Sequence, residues 1–210
     1  MHLKNMTLVA IFALSLLASP VPASADQKVV LAADNLAELL ISASGGAELD
    51  RNPLDYDIIV QTVIALEGLG GDPDLGDATL LEVLSDPTAE VTVFLPNDGA
   101  FRKLARNLGW NGRGGDAGAL STITGAFDLT TIRDVVKYHV VGGHLNILEV
   151  LQQRTFDTVL PGTSFTRTKL FSLVDNEPDL KNPRLRPPVQ LQAGASVAHT
   201  ISRVLIPVDL

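Results

Sequence analysis

The chain has no cysteine, one tryptophan and two tyrosines in 210 residues. Without a thiol there is no disulfide framework, no cysteine nucleophile, no cysteine-ligated metal and no sulfur to carry a lipid tether. Side-chain packing alone must hold the fold. Histidine is also scarce: beyond His2 there are only His139, His144 and His199. The first two of these stand five apart across Gly142-Gly143, which is not a helical chelating pair. No Gly-x-Ser-x-Gly elbow, phosphate loop or dinucleotide fingerprint occurs; Gly68-x-Gly70-Gly71 runs into Asp-Pro-Asp instead of a helix with a nearby lysine. The sequence therefore nominates no catalytic group, no cofactor and no metal site, and it is not read as an enzyme.

Positive charge is in deficit, with 16 Lys and Arg against 24 Asp and Glu, a net of −8. A surface of that sign repels phosphate backbones and anionic lipid, so nucleic acid and passive membrane adsorption are set aside. Local basic patches remain able to meet an acidic polymer.

The N-terminal residues have the layout of a secretory signal: Lys4, an apolar run from Thr7 to Ala18, then Ala23-Ser24-Ala25. The run is too short for the roughly 20 residues of a membrane span, and Pro20 and Pro22 follow it. We expect a signal peptide over 1–25, a secreted protein (periplasmic in a Gram-negative host) and no membrane span. Loss of Lys4 with the leader would take the net charge from −8 to −9.

Beyond it, a weakly patterned helix is expected between Gln27 and Ser44, capped by Asp34, then a largely buried one carrying Tyr56, Ile59, Val60, Val63 and Ile64. Asp72, Asp74 and Asp77 lie in one loop, but the spacing fails the EF-hand pattern, and Asp77 reads as the cap of a short helix with Leu80, Leu81 and Leu84. Val91 to Leu95 is a buried strand ended by Pro96; Asn97 caps a helix with Phe101, Leu104, Ala105 and Leu108 inside and Arg102, Lys103 and Arg106 outside. Gly109 to Gly118, with Asn111-Gly112-Arg113, reads as an exposed loop. A helix starting at Thr131 is expected to run to Gly142-Gly143, with a short one after Asn146. Strands follow at 155–160, 164–173, 189–191 and 197–208, the last of them central. Helices first and strands last is an α+β signature.

Three stretches, in this order, resemble the fasciclin (FAS1) domain family. They are Thr92-Val93-Phe94-Leu95-Pro96-Asn97-Asp98-Gly99-Ala100-Phe101, Tyr138-His139-Val140-Val141, and His199 through Pro207. Departures are Ser202 where Asp or Asn is usual, Ala195-Ser196 in place of an Asn-Gly, and the apparent 109–118 insertion. The resemblance implies helices packed on a wedge-shaped β-sandwich over 54–210, with 26–53 as an extension. It marks Phe94, Pro96, Asn97, Phe101, Tyr138, His139, His199 and Pro207 as family positions serving the core or adhesion. On the residues alone, His139 belongs in a hydrogen-bonded interior.

One further stretch is Glu177-Pro178-Asp179-Leu180, similar to a Glu-Pro-Asp-Ile type integrin-contact sequence of some family members and followed here by Lys181, Arg184 and Arg186. It also reads as an exposed, proline-stiffened loop that loses little entropy on binding. The expected function is non-catalytic surface recognition in adhesion, matrix or envelope association, toward a cell-surface or matrix protein or polysaccharide. The alternative is a carrier of an apolar small molecule, a lipid or pigment.

Overall fold

Two strands whose side chains are apolar on both faces organise the molecule. β1 (Val91–Pro96) and β7 (Ser196–Ile201) lie parallel, with Thr92 opposite Val197 and Pro96 opposite Ile201; β2 (Val140–Gly142) and β6 (Leu191–Ala193) flank them antiparallel. All of β7 is buried, including its polar residues Ser196, His199 and Thr200. A second, antiparallel sheet holds β3 (Thr155–Asp157), β4 (Ser164–Lys169) and β5 (Ser172–Val174). The computed structural model describes residues 33–46, 48–169 and 171–208; the expected signal peptide lies outside them.

Alternation along β1 divides the interior in two. Val93 and Leu95 face the helices α1 (Leu36–Ala43), α2 (Asp57–Leu66), α3 (Leu80–Ser85), α4 (Asp98–Asn107), α5 (Gly115–Ala126) and α6 (Leu129–Tyr138). Phe94 faces the second sheet, where it meets Phe156 edge-on at 5.2 Å and Phe165 at 4.9 Å, and Tyr138 abuts Phe165 at 5.9 Å. Four aromatics, Phe94, Tyr138, Phe156 and Phe165, thus fill the seam between the sheets, where large rings close much volume. The arrangement is α+β, with helices on one face of a sheet pair.

Local chemistry moved several boundaries. α1 begins one residue later than expected, because Asn35 and not Asp34 accepts the Glu38 N–H at 2.9 Å. Thr79 and Glu82 form a reciprocal capping box at the start of α3, while Asp77 takes a left-handed conformation (φ 66°) in the turn before it. α6 is capped by Asp128, ahead of Thr131, and stops at Tyr138 because β1 draws 140–142 into the sheet. α7 (Ile147–Gln152) follows Asn146 as expected. The expected strand at 164–173 is two antiparallel strands, β4 and β5.

The largest omission is α5, which starts inside the expected loop. Its glycines and hydroxyl residues hide any apolar stripe, yet Ala119 and Ile123 are buried and Gly118 sits where a Cβ would strike the Arg113 carbonyl. β7 also ends earlier than expected, at Ile201. The residues beyond are apolar because Val204 and Ile206 enter the helical core and Leu205 enters the aromatic one. Phe101 enters the same core as Val93 and Leu95, between the helices and the first sheet.

Candidate functional site

The family positions come together, but inward. Phe94, Tyr138 and His199 are fully buried and His139 is 4% exposed. Tyr138 donates its hydroxyl to the Ser164 carbonyl at 2.9 Å, tying α6 to β4; burial pushes its phenol well above the ordinary range. His139 Nε2 accepts the Leu205 N–H at 2.8 Å, so the ring proton is on Nδ1, which meets the Val135 carbonyl at 2.7 Å. Burial holds this imidazole neutral, down to about 4. His199 faces two carbonyls, Val189 at 2.6 Å and Leu145 at 2.8 Å. Asn97 caps α4 through the Ala100 N–H at 3.0 Å, beside buried Pro96, and Pro207 is partly exposed on the wall of a cleft described below. These residues build the interior; none offers a reactive surface.

The 177–188 stretch is more structured than a free loop. Leu185 pairs with Ile201 and Arg184 with Ser172, so the segment bridges the two sheets with Pro183 and Leu185 inward and Arg184 and Arg186 outward. Glu177, expected as a contact, is buried; its carboxylate accepts the Asp179 N–H at 2.9 Å. Pro178, Asp179 and Lys181 remain exposed.

Arg186 reaches the same open cleft, about 590 Å³, as Arg102, Lys103 and Arg106 of α4. Arg102 and Arg106 also line a second cleft of about 450 Å³ with Arg51, Arg113 and Trp110, and the Arg106 guanidinium lies 5.5 Å from the Trp110 ring centre. Burial and then Arg203, Arg186 and Arg106 push the Lys103 ammonium down, evidence of crowded positive charge. Lys103 Nζ donates to the Ser202 carbonyl at 2.8 Å. On a chain of net charge −8 this concentration is a distinct electrostatic feature. Arg102 is less free than its place on the outer face of α4 implied: its Nε and Nη2 hold both Asp116 oxygens, at 2.6 and 2.8 Å.

The acidic loop at 72–77 serves the interior. Lys137, 2% exposed, places Nζ 3.0 Å from Asp72 Oδ2, 2.5 Å from Asp74 Oδ2 and 3.6 Å from Asp134 Oδ1, and Arg133 Nε lies 3.1 Å from Asp72. Burial raises Asp72, but the Lys137 hydrogen bond, the Asp74 N–H and the charges of Lys137 and Arg133 together outweigh it, and the carboxyl stays below its usual range. Nothing local in the sequence distinguishes Lys137 from a solvated helix lysine; only its position beside the two inward residues 136 and 138 hints at it.

An apolar cleft of about 330 Å³ opens between α5, α6 and the C-terminal segment, lined by Phe101, Leu120, Ile123, Phe127, Ile132 and Val208 among others, with Thr62, Thr131 and Thr163 at its polar points. Its size and lining fall at the lower end of small-molecule sites. The sequence reading missed its far wall because it missed α5.

A family model described as Fasciclin domain matches residues 74–207. A solved structure of a FAS1 domain pair from the insect cell adhesion molecule fasciclin I aligns at 18% identity and a TM-score of 0.42, covering 70% of this chain and 44% of that one. This chain therefore corresponds to less than half of that molecule's length. No curated protein matches.

Proposed function

The chain belongs to the fasciclin domain family of adhesion-related domains, and on that premise we propose that it is a secreted, non-catalytic recognition module whose contact surface is the pair of basic clefts on α4. The carrying observation is the convergence of Arg102, Lys103 and Arg106 with Arg186 from the sheet-bridging arm. Two rigid elements present the cations, so little ordering entropy is lost on contact. The partner of matching chemistry is a carboxylated or sulfated polysaccharide of a matrix or envelope. Among the described residues no helix is long and apolar enough to cross a membrane.

The test is retention on immobilised acidic polysaccharide. Wild type is expected to bind and to elute as salt rises; R106A/R186A is expected to lose binding. Retention by a neutral polysaccharide, or no loss in the variant, would sink this surface, and binding only to protein in an envelope fraction would replace the polysaccharide with a protein partner.

The apolar cleft supports a second reading, a carrier of a lipid or pigment. Absorbance above 350 nm or extractable lipid in protein purified from its host, lost on filling the cleft with Leu120→Trp, would favour it.

A further inference from the structure

The N-termini of α2, α4 and α5 meet under residues 50–57, and each brings an aspartate to the meeting point. Asp57, Asp98 and Asp116 are fully buried, Asp55 is 6% exposed, and exposed Asp50 closes the group on the solvent side. One oxygen each from Asp57, Asp98 and Asp116 lies within 4.8 Å of the others, and so does one each from Asp50, Asp55 and Asp57. Asp57 joins the two triads.

The backbone engages one oxygen of each inner carboxyl and leaves the other. Asp57 Oδ2 accepts the Asp50 N–H at 3.3 Å and Asp98 Oδ1 the Ile58 N–H at 3.0 Å. Asp57 Oδ1 has no hydrogen-bonding partner, and the Asp98 and Asp55 carboxyls, with Oδ2 and Oδ1 otherwise unpartnered, face only each other. Asp116 is satisfied by Arg102, the one cation that bonds into the group among the described residues. Buried carboxylate oxygens without a partner are costly, and helix N-termini supply only fractional positive charge. The unpartnered oxygens are thus an observation separate from the clustering, and they call for a positive ligand.

We infer that this cluster is a binding site for one Ca²⁺ ion, with Asp57 and Asp98 as its inner ligands and Asp55 and Asp50 completing it toward solvent. The donors are all hard oxygens, which sets aside zinc and copper. Oxygens no more than 4.8 Å apart can be bridged by Ca²⁺–oxygen bonds of about 2.4 Å, and calcium accepts irregular oxygen shells, whereas magnesium keeps its waters and needs near-octahedral geometry. Arg102 pairs with Asp116 and lines both basic clefts, so ion binding would stiffen the rear of that surface.

The experiment is calorimetric titration of EDTA-stripped, purified chain with CaCl₂ at pH 7.5, alongside thermal unfolding with and without 5 mM CaCl₂. Expected are one-to-one saturable binding in the micromolar to millimolar range and a raised Tm. D57N and D98N keep the oxygen that accepts the backbone N–H; they are expected to fold without calcium and to bind it at least tenfold more weakly. No binding and no Tm shift in wild type would overturn the site, leaving protons as the neutralising species; so would undiminished binding in both folded variants.

Discussion

Two buried charge clusters in this protein are built from the same materials and balanced differently. Around Lys137, one enclosed ammonium meets buried Asp72 and the partly wet Asp74 and Asp134, with Arg133 behind Asp72. Around Asp98, carboxyls from 50–57, α4 and α5 face each other with Arg102 as the one bonded cation among the described residues. Burial pushes Asp57 up to about 6 and Asp98 up to about 8, the neighbouring aspartates adding to it, whereas Asp72 is held low. The difference shows that burial alone does not decide whether a carboxylate keeps its charge; the nearest ammonium does.

The sharpest way to break the comparison is to remove that ammonium. Lys137→Met leaves Asp72 enclosed with only Arg133 opposite it, and loss of one partner of a buried pair costs about 3–5 kcal/mol. Urea denaturation at pH 7 is expected to show a loss of that order; a loss under 1 kcal/mol would mean the pair is effectively solvated.

His139 is a neutral counterpart, its donor and acceptor both matched by backbone. His139→Leu leaves the Leu205 N–H without an acceptor, at about 2 kcal/mol. The pH dependence has a definite sign. The folded value near 4 lies below the ordinary 6.5, so between these values the unfolded chain binds the proton and the fold does not. Stability is therefore lost as pH falls from about 6.5 toward 4. Equilibrium unfolding at pH 7 and pH 5 should show a smaller pH loss in His139→Leu than in wild type.

The unbalanced cluster predicts the opposite response to losing charge. Asp98→Asn in EDTA at pH 8 removes a charge with an unpartnered oxygen while keeping the acceptor for Ile58 N–H, and is expected to raise stability by about 1–2 kcal/mol. A destabilisation of that size would show that the carboxylate is compensated by contacts the geometry does not reveal.

Sequence reading reached this architecture where the signal was periodic and local. The Phe94-Leu95-Pro96-Asn97 transition places a strand end, a stop and a cap in four residues, and it stands in the structure as read. A buried strand near the C-terminus was also legible, but its end was not, because Val204, Leu205 and Ile206 beyond Ile201 are apolar for the sake of the two cores and not of the sheet. α5 was not, since Gly115, Gly118, Ser121 and Thr122 carry no helical stripe; its place is fixed by Arg102 gripping Asp116 and by α4 packing against it. Both charge clusters were invisible for a related reason. Asp57 and Asp98 each look like an acid favouring its own helix start, and only the convergence of three helix ends turns them into neighbours. The basic clefts were half legible: Arg186 was singled out, but its meeting with the α4 cations depends on Leu185 anchoring the arm against Ile201.

The exposed cations are the limiting case, in which water and salt do the balancing. Arg106 is exposed and lies over Trp110; Arg186 is exposed and held through its backbone N–H to the Thr200 carbonyl at 2.8 Å. Neither side chain has a buried carboxylate to neutralise, so R106A/R186A is expected to change stability by no more than about 0.5 kcal/mol. Binding should respond instead. Two cations removed from a patch that neutralises a polyanion lower both the affinity and its slope against salt, because fewer counterions are released. Affinity for a sulfated polysaccharide at 50 and 200 mM NaCl gives both numbers. A variant with unchanged stability, weaker binding and a shallower slope places the role of these arginines at the surface. A variant that unfolds would move them into the same class as Lys137.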